Sequence, residues 1–136
     1  SCRYIKQLNA MRYIILILTL IISLNFNAQT DVRVLDLMVE GANTLVDGDD
    51  SSGVIGLEAF NENNSALVYQ YKILTEEIAN NFKNNSFNYK DYVINNESLK
   101  TLSRQAVKAN IIVKWRYFYK GDMIKEIIIY PNEWND

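Results

Sequence analysis

Histidine is absent from the chain of 136 residues, and its single cysteine is Cys2. Ser-His-Asp and Cys-His catalytic sites and imidazole zinc sites are therefore excluded, because each needs a histidine. One cysteine alone cannot supply a disulfide framework. No P-loop, G-x-S-x-G or G-x-G-x-x-G motif occurs. The sequence predicts no bound cofactor, and carboxylates are the catalytic groups that remain.

Carboxylate pairs could in principle hydrolyse a glycoside. The spacing of the acidic residues does not pair any two of them across a cleft, and a small domain leaves little room for a deep sugar groove. We therefore expect a protein that is not an enzyme and treat a small hydrolase as the less favoured alternative. The acidic residues considered for that role are Glu58, Glu62, Asp122, Glu126 and Glu133.

Long apolar runs are also missing, since the longest, Tyr13 to Leu24, has twelve residues. A helix needs about 20 apolar residues to span a membrane. Three basic residues precede the run: Arg3, Lys6 and Arg12. No acidic residue occurs before Asp31. This order is typical of a signal peptide with cleavage after the small Ala28. We expect an N-terminal extension and signal at 1–28 and one domain at 29–136, either secreted or periplasmic. The alternative is that the segment stays uncleaved and anchors the protein to a membrane.

Acidic residues outnumber basic ones, 16 to 14, and three of the basic residues lie before Ala28. The remaining chain then carries 11 basic against 16 acidic residues. Nonspecific nucleic-acid binding depends mainly on neutralising phosphates. The sequence therefore predicts no nucleic-acid partner.

One acidic segment, DGDDSSGVIGLE, resembles a calcium-binding EF-hand loop in its spacing of oxygen ligands. Asp47, Asp49, Ser51 and Glu58 fall at ligand positions 1, 3, 5 and 12. Position 6 is Ser52 where the loop needs glycine, and a strand follows where a second helix is required. We therefore interpret the segment as a solvated acidic turn and expect no metal site.

The first half of the domain predicts a helix and a hairpin. Apolar residues recur at helical spacing across Asp31–Leu45, with Thr30 as the N-cap. A strand at 66–73 alternates between apolar and polar residues. A five-residue loop, Asn61–Ser65, would place Ile55, Leu57 and Ala59 on the same side of the sheet as Leu67 and the two tyrosines that follow.

The second half predicts two more helices and a second hairpin. Thr75–Phe82 forms a short helix capped by Thr75, NNSFNYKDY forms a loop, and Asn96–Lys108 forms a helix that Asn110 ends. Gly121 and Asp122 suit a type II′ turn between two strands. The order αββ(α)αββ predicts an α+β fold: a four-stranded antiparallel sheet made of two hairpins, with helices packed on one face.

A resemblance rests on short motifs spread over residues 31–131. A helix is followed by LVDGDDSSG, the strand LVYQYKI, a helical stretch and the closing hairpin WRYFYKGDMIKEIIIYP. This arrangement resembles small exported bacterial domains of uncharacterised function. The resemblance implies an α+β fold and export, and it carries no catalytic residue across.

The final hairpin offers a candidate partner surface. With Gly121-Asp122 as the turn, Tyr119 pairs with Ile124 and Trp115 with Ile128, and these residues face the helices. The opposite face then interleaves basic and apolar side chains, more apolar surface than a solvated face needs. The favoured interpretation is an ordinary solvated sheet face whose lysine stems cover apolar neighbours; the alternative is a docking surface for an acidic or amphipathic partner protein or a second copy of the chain. The residues of this candidate partner surface are Lys114, Arg116, Phe118, Lys125, Ile127 and Ile129.

Three functions from different classes remain open on these observations. The favoured one is an exported, noncatalytic binding or interaction domain. The second is an envelope protein of structural role, anchored by its N-terminal segment. The third is the small carboxylate hydrolase.

Overall fold

The computed structural model describes residues 2–26, 29–45 and 52–135 of the chain. Five α-helices are found there, together with two single 3₁₀ turns. The helices are α1 (Cys2–Phe26), α2 (Val32–Thr44), α3 (Glu76–Asn84), α4 (Tyr89–Ile94) and α5 (Lys100–Ala109). The strands are β1 (Val54–Gly56), β2 (Phe60–Glu62), β3 (Ala66–Ile73), β4 (Ile112–Tyr119) and β5 (Asp122–Ile129).

The helix ends follow from their capping residues. Asp31, not Thr30 as expected, caps α2 by accepting a hydrogen bond from the backbone N–H of Val34. The Thr30 hydroxyl instead donates to the carbonyl of Asn110 at 2.7 Å. Thr75 caps α3 as predicted, and Asn110 ends α5 in the left-handed conformation, which asparagine tolerates better than most residues.

One predicted loop is a helix. Within NNSFNYKDY, Asn88 accepts a hydrogen bond from the N–H of Asp91 and begins α4. The prediction failed because α4 has only six residues, too few to show an apolar period. Its stability comes from packing, since Tyr89, Val93 and Ile94 lie against the core.

The sheet is mixed and has five strands, which corrects the prediction of a four-stranded antiparallel sheet. Its strand order is β1-β3-β4-β5, and β2 pairs with β3 on the same edge as β1. β3 and β4 are parallel, with Leu67 opposite Val113 and Tyr69 opposite Trp115. The helical connection 74–111 returns the chain to the end of the sheet at which β3 begins, and a crossover of that kind joins parallel strands. Two hairpins were predicted correctly, but the way they are joined was not.

The first hairpin is interrupted at residues 57–59. Ala59 lies on the helix side, as predicted, and is buried. Ile55 pairs with Lys72, which places it on the other side of the sheet, contrary to the prediction. The turn is also shorter than expected, because Glu62 already pairs with Ala66. Asn63 and Asn64 both have positive φ there, a conformation that asparagine tolerates.

The second hairpin turns at Lys120-Gly121, one residue earlier than predicted. Tyr119 pairs with Asp122, and the two turn residues have φ of 48° and 84°. Positive φ at both positions is typical of a type I′ turn. The register then shifts between Tyr117 and Phe118, so that Trp115 pairs with Ile127 instead of Ile128. Beyond the shift the predicted pairing was therefore wrong by one residue, and residues 125–129 of β5 present the opposite set of side chains to each face.

The core lies between the helices and one face of the sheet. Leu35 of α2 and Ala106 and Ala109 of α5 pack on inward-facing residues of β3, β4 and β5. The Phe82 ring of α3 lies 4.7 Å from that of Tyr117, so the helices after α1 share this side, as predicted. The sheet residues of the core are Leu67, Val113, Trp115, Ile127 and Ile129.

The N-terminal helix α1 contributes no described residue to that core cluster. Its side chains from Ile5 to Ile17 are exposed. In the part of the chain that the structure describes, no helix combines the length and the apolar character needed to cross a membrane. Ala28, the expected cleavage position, lies outside the described residues, as do Asp47, Asp49 and Ser51 of the acidic segment.

Candidate functional site

The predicted partner surface is divided between the two faces of the sheet. Lys114, Arg116 and Phe118 alternate on β4 and lie on the side away from the helices, here called the outer face. Ile127 and Ile129 are 5% and 0% exposed and belong to the core. These two predicted members were placed wrongly because of the register shift in β5.

Lys125 also lies on the helix side. It pairs with Tyr117 across the strands, and its ammonium group lies 5.1 Å from the centre of the Tyr89 ring. A cation over an aromatic face is attracted by the ring quadrupole. Lys125 therefore contributes to packing around α4 and not to the outer face.

The two basic residues of the candidate partner surface that do lie on the outer face, Lys114 and Arg116, are paired with carboxylates. The Lys114 ammonium lies 2.6 Å from one oxygen of Glu62, and Arg116 lies 2.7 Å from the other. Arg116 also donates to Glu126 at 2.6 Å. Two positive and two negative charges cancel, so this cluster does not form the basic patch that the sequence suggested.

The cluster crosses over the first half of β3, where the outward residues, Ala66 and Val68, are small. Ala66 and Val68 are 1% and 0% exposed although they face away from the core helices. Glu62 on β2 reaches across them to β4, and the Phe60 ring lies 5.9 Å from the guanidinium of Arg116. The long charged side chains thus bury the apolar surface of β3 beneath their stems.

The same contacts set the protonation of this cluster. Hydrogen bonding to Lys114 and Arg116 lowers the pKa of Glu62, against the opposing effect of burial. Hydrogen bonding to Glu126 and Glu62 raises the pKa of Arg116. A general acid needs a raised carboxyl pKa, whereas the pKa of Glu62 is lowered and its carboxylate is ion-paired with Lys114 and Arg116.

A groove lies on the helix side, between α2 and α5. It has a volume of about 870 Å³, within the range of roughly 300–1,000 Å³ that ligand sites occupy. Tyr69 of β3 forms its floor. The residues that line this α2–α5 groove are Asp31, Val34, Leu37, Met38, Gly41, Ala42, Thr44, Leu45, Tyr69, Leu102, Gln105, Lys108 and Ala109.

Apolar residues of α2 serve both the core and the groove. Leu35 points into the core and is 0% exposed. Val34 and Met38 are partly buried against the core and also line the groove, together with Leu45. Leu37 and Leu45 remain 60% and 82% exposed at its margin, so the apolar surface extends beyond the cavity itself.

Gly41 lies midway along the groove and is exposed. A Cβ added at this position would meet nothing within 4 Å, so the space beside the α2 backbone is open. The sequence prediction identified the helix from the spacing of its apolar residues but did not identify a groove. The signal it missed is that Leu37 widens the apolar arc of α2 beyond what one packed face can bury.

The aromatic floor is rigid and uncharged. Tyr69 stacks on Trp115 with ring centres 5.6 Å apart, and Tyr71 stacks on Tyr117 at 5.1 Å. Burial raises the pKa of Tyr69 and of Tyr117 to about 12. These rings pack against the core, as predicted, and their hydroxyls stay protonated at neutral pH.

Metal ligands do not gather anywhere among the residues that the structure describes. In that part of the chain, no three of the acidic or cysteine side chains come together in a way that could hold a metal ion. The segment after the acidic loop is strand β1, whereas an EF-hand requires a helix there.

Comparison with known proteins supports the fold. No protein-family model matches the chain, and no curated protein does. Among solved structures, the chain is similar to a Pseudomonas aeruginosa protein provisionally described as secreted. The TM-score is 0.58 at 9% identity, and the match covers 74% of this chain and 89% of that one. This likeness agrees with the α+β fold that the sequence resemblance implied.

Proposed function

We propose that this protein is an exported, noncatalytic binding domain whose α2–α5 groove receives an apolar helical segment of a partner protein. The observation on which the proposal rests is the open apolar groove itself. Three turns of α2 line it, and Tyr69 lies at its base. Monomeric proteins rarely leave contiguous apolar surface of this kind uncovered without a binding role.

A helix fits the groove better than a narrow, extended apolar molecule does. Leu37 and Leu45 lie on the margin, largely exposed, and an occupant must be broad to cover them together with the floor. The lining positions 34, 38, 41 and 45 repeat every three or four residues, the spacing at which one helix contacts another. Gly41 and Ala42 offer room for a helix backbone to approach closely.

Export is supported by two independent features. The N-terminal segment has the basic start, short apolar run and small Ala28 that a signal peptide requires. The structurally similar Pseudomonas aeruginosa protein is itself provisionally described as secreted.

The binding proposal can be tested on residues 29–136, which contain every member of the core cluster. The probe is a soluble Ala/Lys helix that carries four leucines at positions i, i+4, i+7 and i+11, labelled for fluorescence anisotropy. Gly41→Trp should fill the groove and weaken binding of this peptide at least tenfold. Gly41→Ala is the matched control and should leave the affinity nearly unchanged.

Two other results would overturn the proposal. Equal peptide affinity for both variants, with thermal melts showing folded protein, would mean that binding occurs elsewhere. No measurable binding by either the unsubstituted domain or the control would mean that the groove does not accept a helix.

A further inference from the structure

The chain carries its own apolar helix immediately before the groove-lining helix α2. The run Tyr13–Leu24 lies in α1, and its described side chains from Tyr13 to Ile17 are each more than half exposed. The groove is open in the same structure. Two complementary apolar surfaces are therefore uncovered within one molecule, which costs free energy in water.

We propose that the α2–α5 groove also receives the apolar run of α1, so that the N-terminal segment covers the binding site until that segment is removed. This inference rests on the proposed function, because it concerns control of the same groove.

The lengths of the two surfaces match. Tyr13–Leu24 spans twelve residues of α1, and the groove-lining stripe Val34–Leu45 spans twelve residues along α2 and its C-cap. Both are therefore about 18 Å long at 1.5 Å per residue. Antiparallel alignment end to end places Leu24 opposite Val34 and Ile17 opposite Gly41. The run has an unbroken apolar stripe at helical spacing: Tyr13, Ile17, Leu20 and Leu24.

The connection has the right length for such a helical hairpin. Residues 27–31 join Phe26, the last residue of α1, to α2, and antiparallel helices are commonly joined by 2–8 residues. Asp31, at the end of this connection, already lines the groove. A tether this short gives α1 an effective concentration in the millimolar range, which a partner in solution seldom reaches.

The positive charge of Arg12, just before the apolar run of α1, favours the same arrangement. The last turn of α2 contains no basic residue, so the negative end of its dipole is not offset by its own side chains. In the antiparallel alignment, Arg12 comes beside this end, next to Leu45. A cation at a helix carboxyl end is stabilised by the dipole.

Removal of the segment would then uncover the groove. Cleavage near Ala28 leaves the entire described core in place, because all members of the core cluster lie after residue 28. The precursor would be unable to bind its partner, and the exported domain would be able to.

Engineered cysteines test the docked arrangement in the full chain. Cell-free synthesis without membranes or detergent supplies the 1–136 protein, with Cys2→Ser to remove the natural thiol. Helices that pack closely at a glycine bring facing Cα atoms near disulfide range. Ile17→Cys with Gly41→Cys should form an intramolecular disulfide under mild oxidation. Ile17→Cys with Glu40→Cys is the control, since residue 40 lies about 100° around α2, away from the groove.

The expected result is a fast-migrating oxidised monomer at least fivefold more abundant for the 17–41 pair than for the 17–40 pair. Equal crosslinking of both pairs, or none in protein that melts cooperatively, would overturn the inference. Oxidised dimers in place of monomers would also overturn it, because α1 of a second copy would then be the occupant. Peptide binding by residues 29–136 is measured separately, so it can stand when the crosslink fails.

Discussion

At the scale of single residues, Trp134 combines tight packing with an unpaired donor. Its indole is 7% exposed and lies edge-on to Trp115 with ring centres 6.3 Å apart. Within the part of the chain that the structure describes, the buried Nε1–H has no hydrogen-bond partner. An unsatisfied buried donor costs about 1–3 kcal/mol, so the apolar packing of the ring must offset this loss.

Substitution of Trp134 separates the donor from the ring. Trp134→Phe removes the N–H and keeps an aromatic contact, so we expect a change in the free energy of unfolding within about 1 kcal/mol. Trp134→Ala removes the packing as well and should cost about 3–5 kcal/mol. Urea denaturation measures both. If the two variants were equally destabilised, the unpaired donor would not be the significant feature of this position.

Two glycines should respond in opposite directions to alanine. Gly41 lies inside α2 with free space around it, and Gly121 has a φ of 84° in the last turn. Gly41→Ala should raise the free energy of unfolding by about 0.5–1 kcal/mol. Gly121→Ala should lower it by at least about 1 kcal/mol, because a Cβ is strained at positive φ. A thermal melt of each variant checks the signs, and the prediction fails if both shift the same way.

At the scale of elements, the ion pairs of the outer face make β2, β3 and β4 sensitive to acid. The pKa of Glu62 is lowered from its ordinary value of 4.5, mainly by hydrogen bonding to Lys114. A carboxyl with a lowered folded-state pKa stabilises the fold above its unfolded pKa. That contribution is lost as the pH falls below about 4.5 and through the folded pKa.

Glu62→Gln should therefore reduce stability at pH 7 and flatten its dependence on pH below about 4.5. The expected loss at pH 7 is about 1 kcal/mol, since the pair is partly screened by solvent. Glu97→Gln is the control, because Glu97 is 83% exposed in its pair with Lys100 and should have little effect. Urea melts between about pH 3 and pH 7 measure both. The assignment is wrong if the Glu62→Gln variant retains the full acid sensitivity of the unsubstituted protein.

At the scale of the whole molecule, we expect the N-terminal segment and the domain to have separate roles. The basic start and the twelve-residue run precede a chain whose described core is complete without them. We expect export with cleavage after Ala28, so that the exported protein begins at Gln29. N-terminal sequencing of secreted material checks this. Material that still began at Met11 would contradict it, and Ala28→Arg should block processing because the site needs a small residue.

Local chemistry made much of the fold predictable from the sequence. Thr75 and Asn110 are capping residues whose side chains and conformations act within one turn, and both were assigned correctly. The strand at 66–73 followed from its alternation alone. These features depend on neighbours in the chain, so the sequence contains their cause.

Long-range pairing was not predictable in the same way. The parallel contact between β3 and β4 depends on where the crossover 74–111 returns, which no local pattern encodes. The prediction of the outer face failed for a related reason. The turn begins at Lys120 instead of Gly121, and the strand pairing has one irregular position. Together these place Ile127 and Ile129 in the core. The groove was missed because helical spacing alone does not show which apolar residues of α2 remain exposed.

The parallel pairing of β3 and β4 has a consequence for how the chain folds during synthesis. These strands form the centre of the sheet, yet residues 74–111 separate them. The central contact cannot form until β4 has left the ribosome, and closing so long a loop slows the search for it. A nascent chain therefore lacks its central sheet for most of its synthesis. If the chain is exported as we propose, it meets the export machinery before its central sheet has formed.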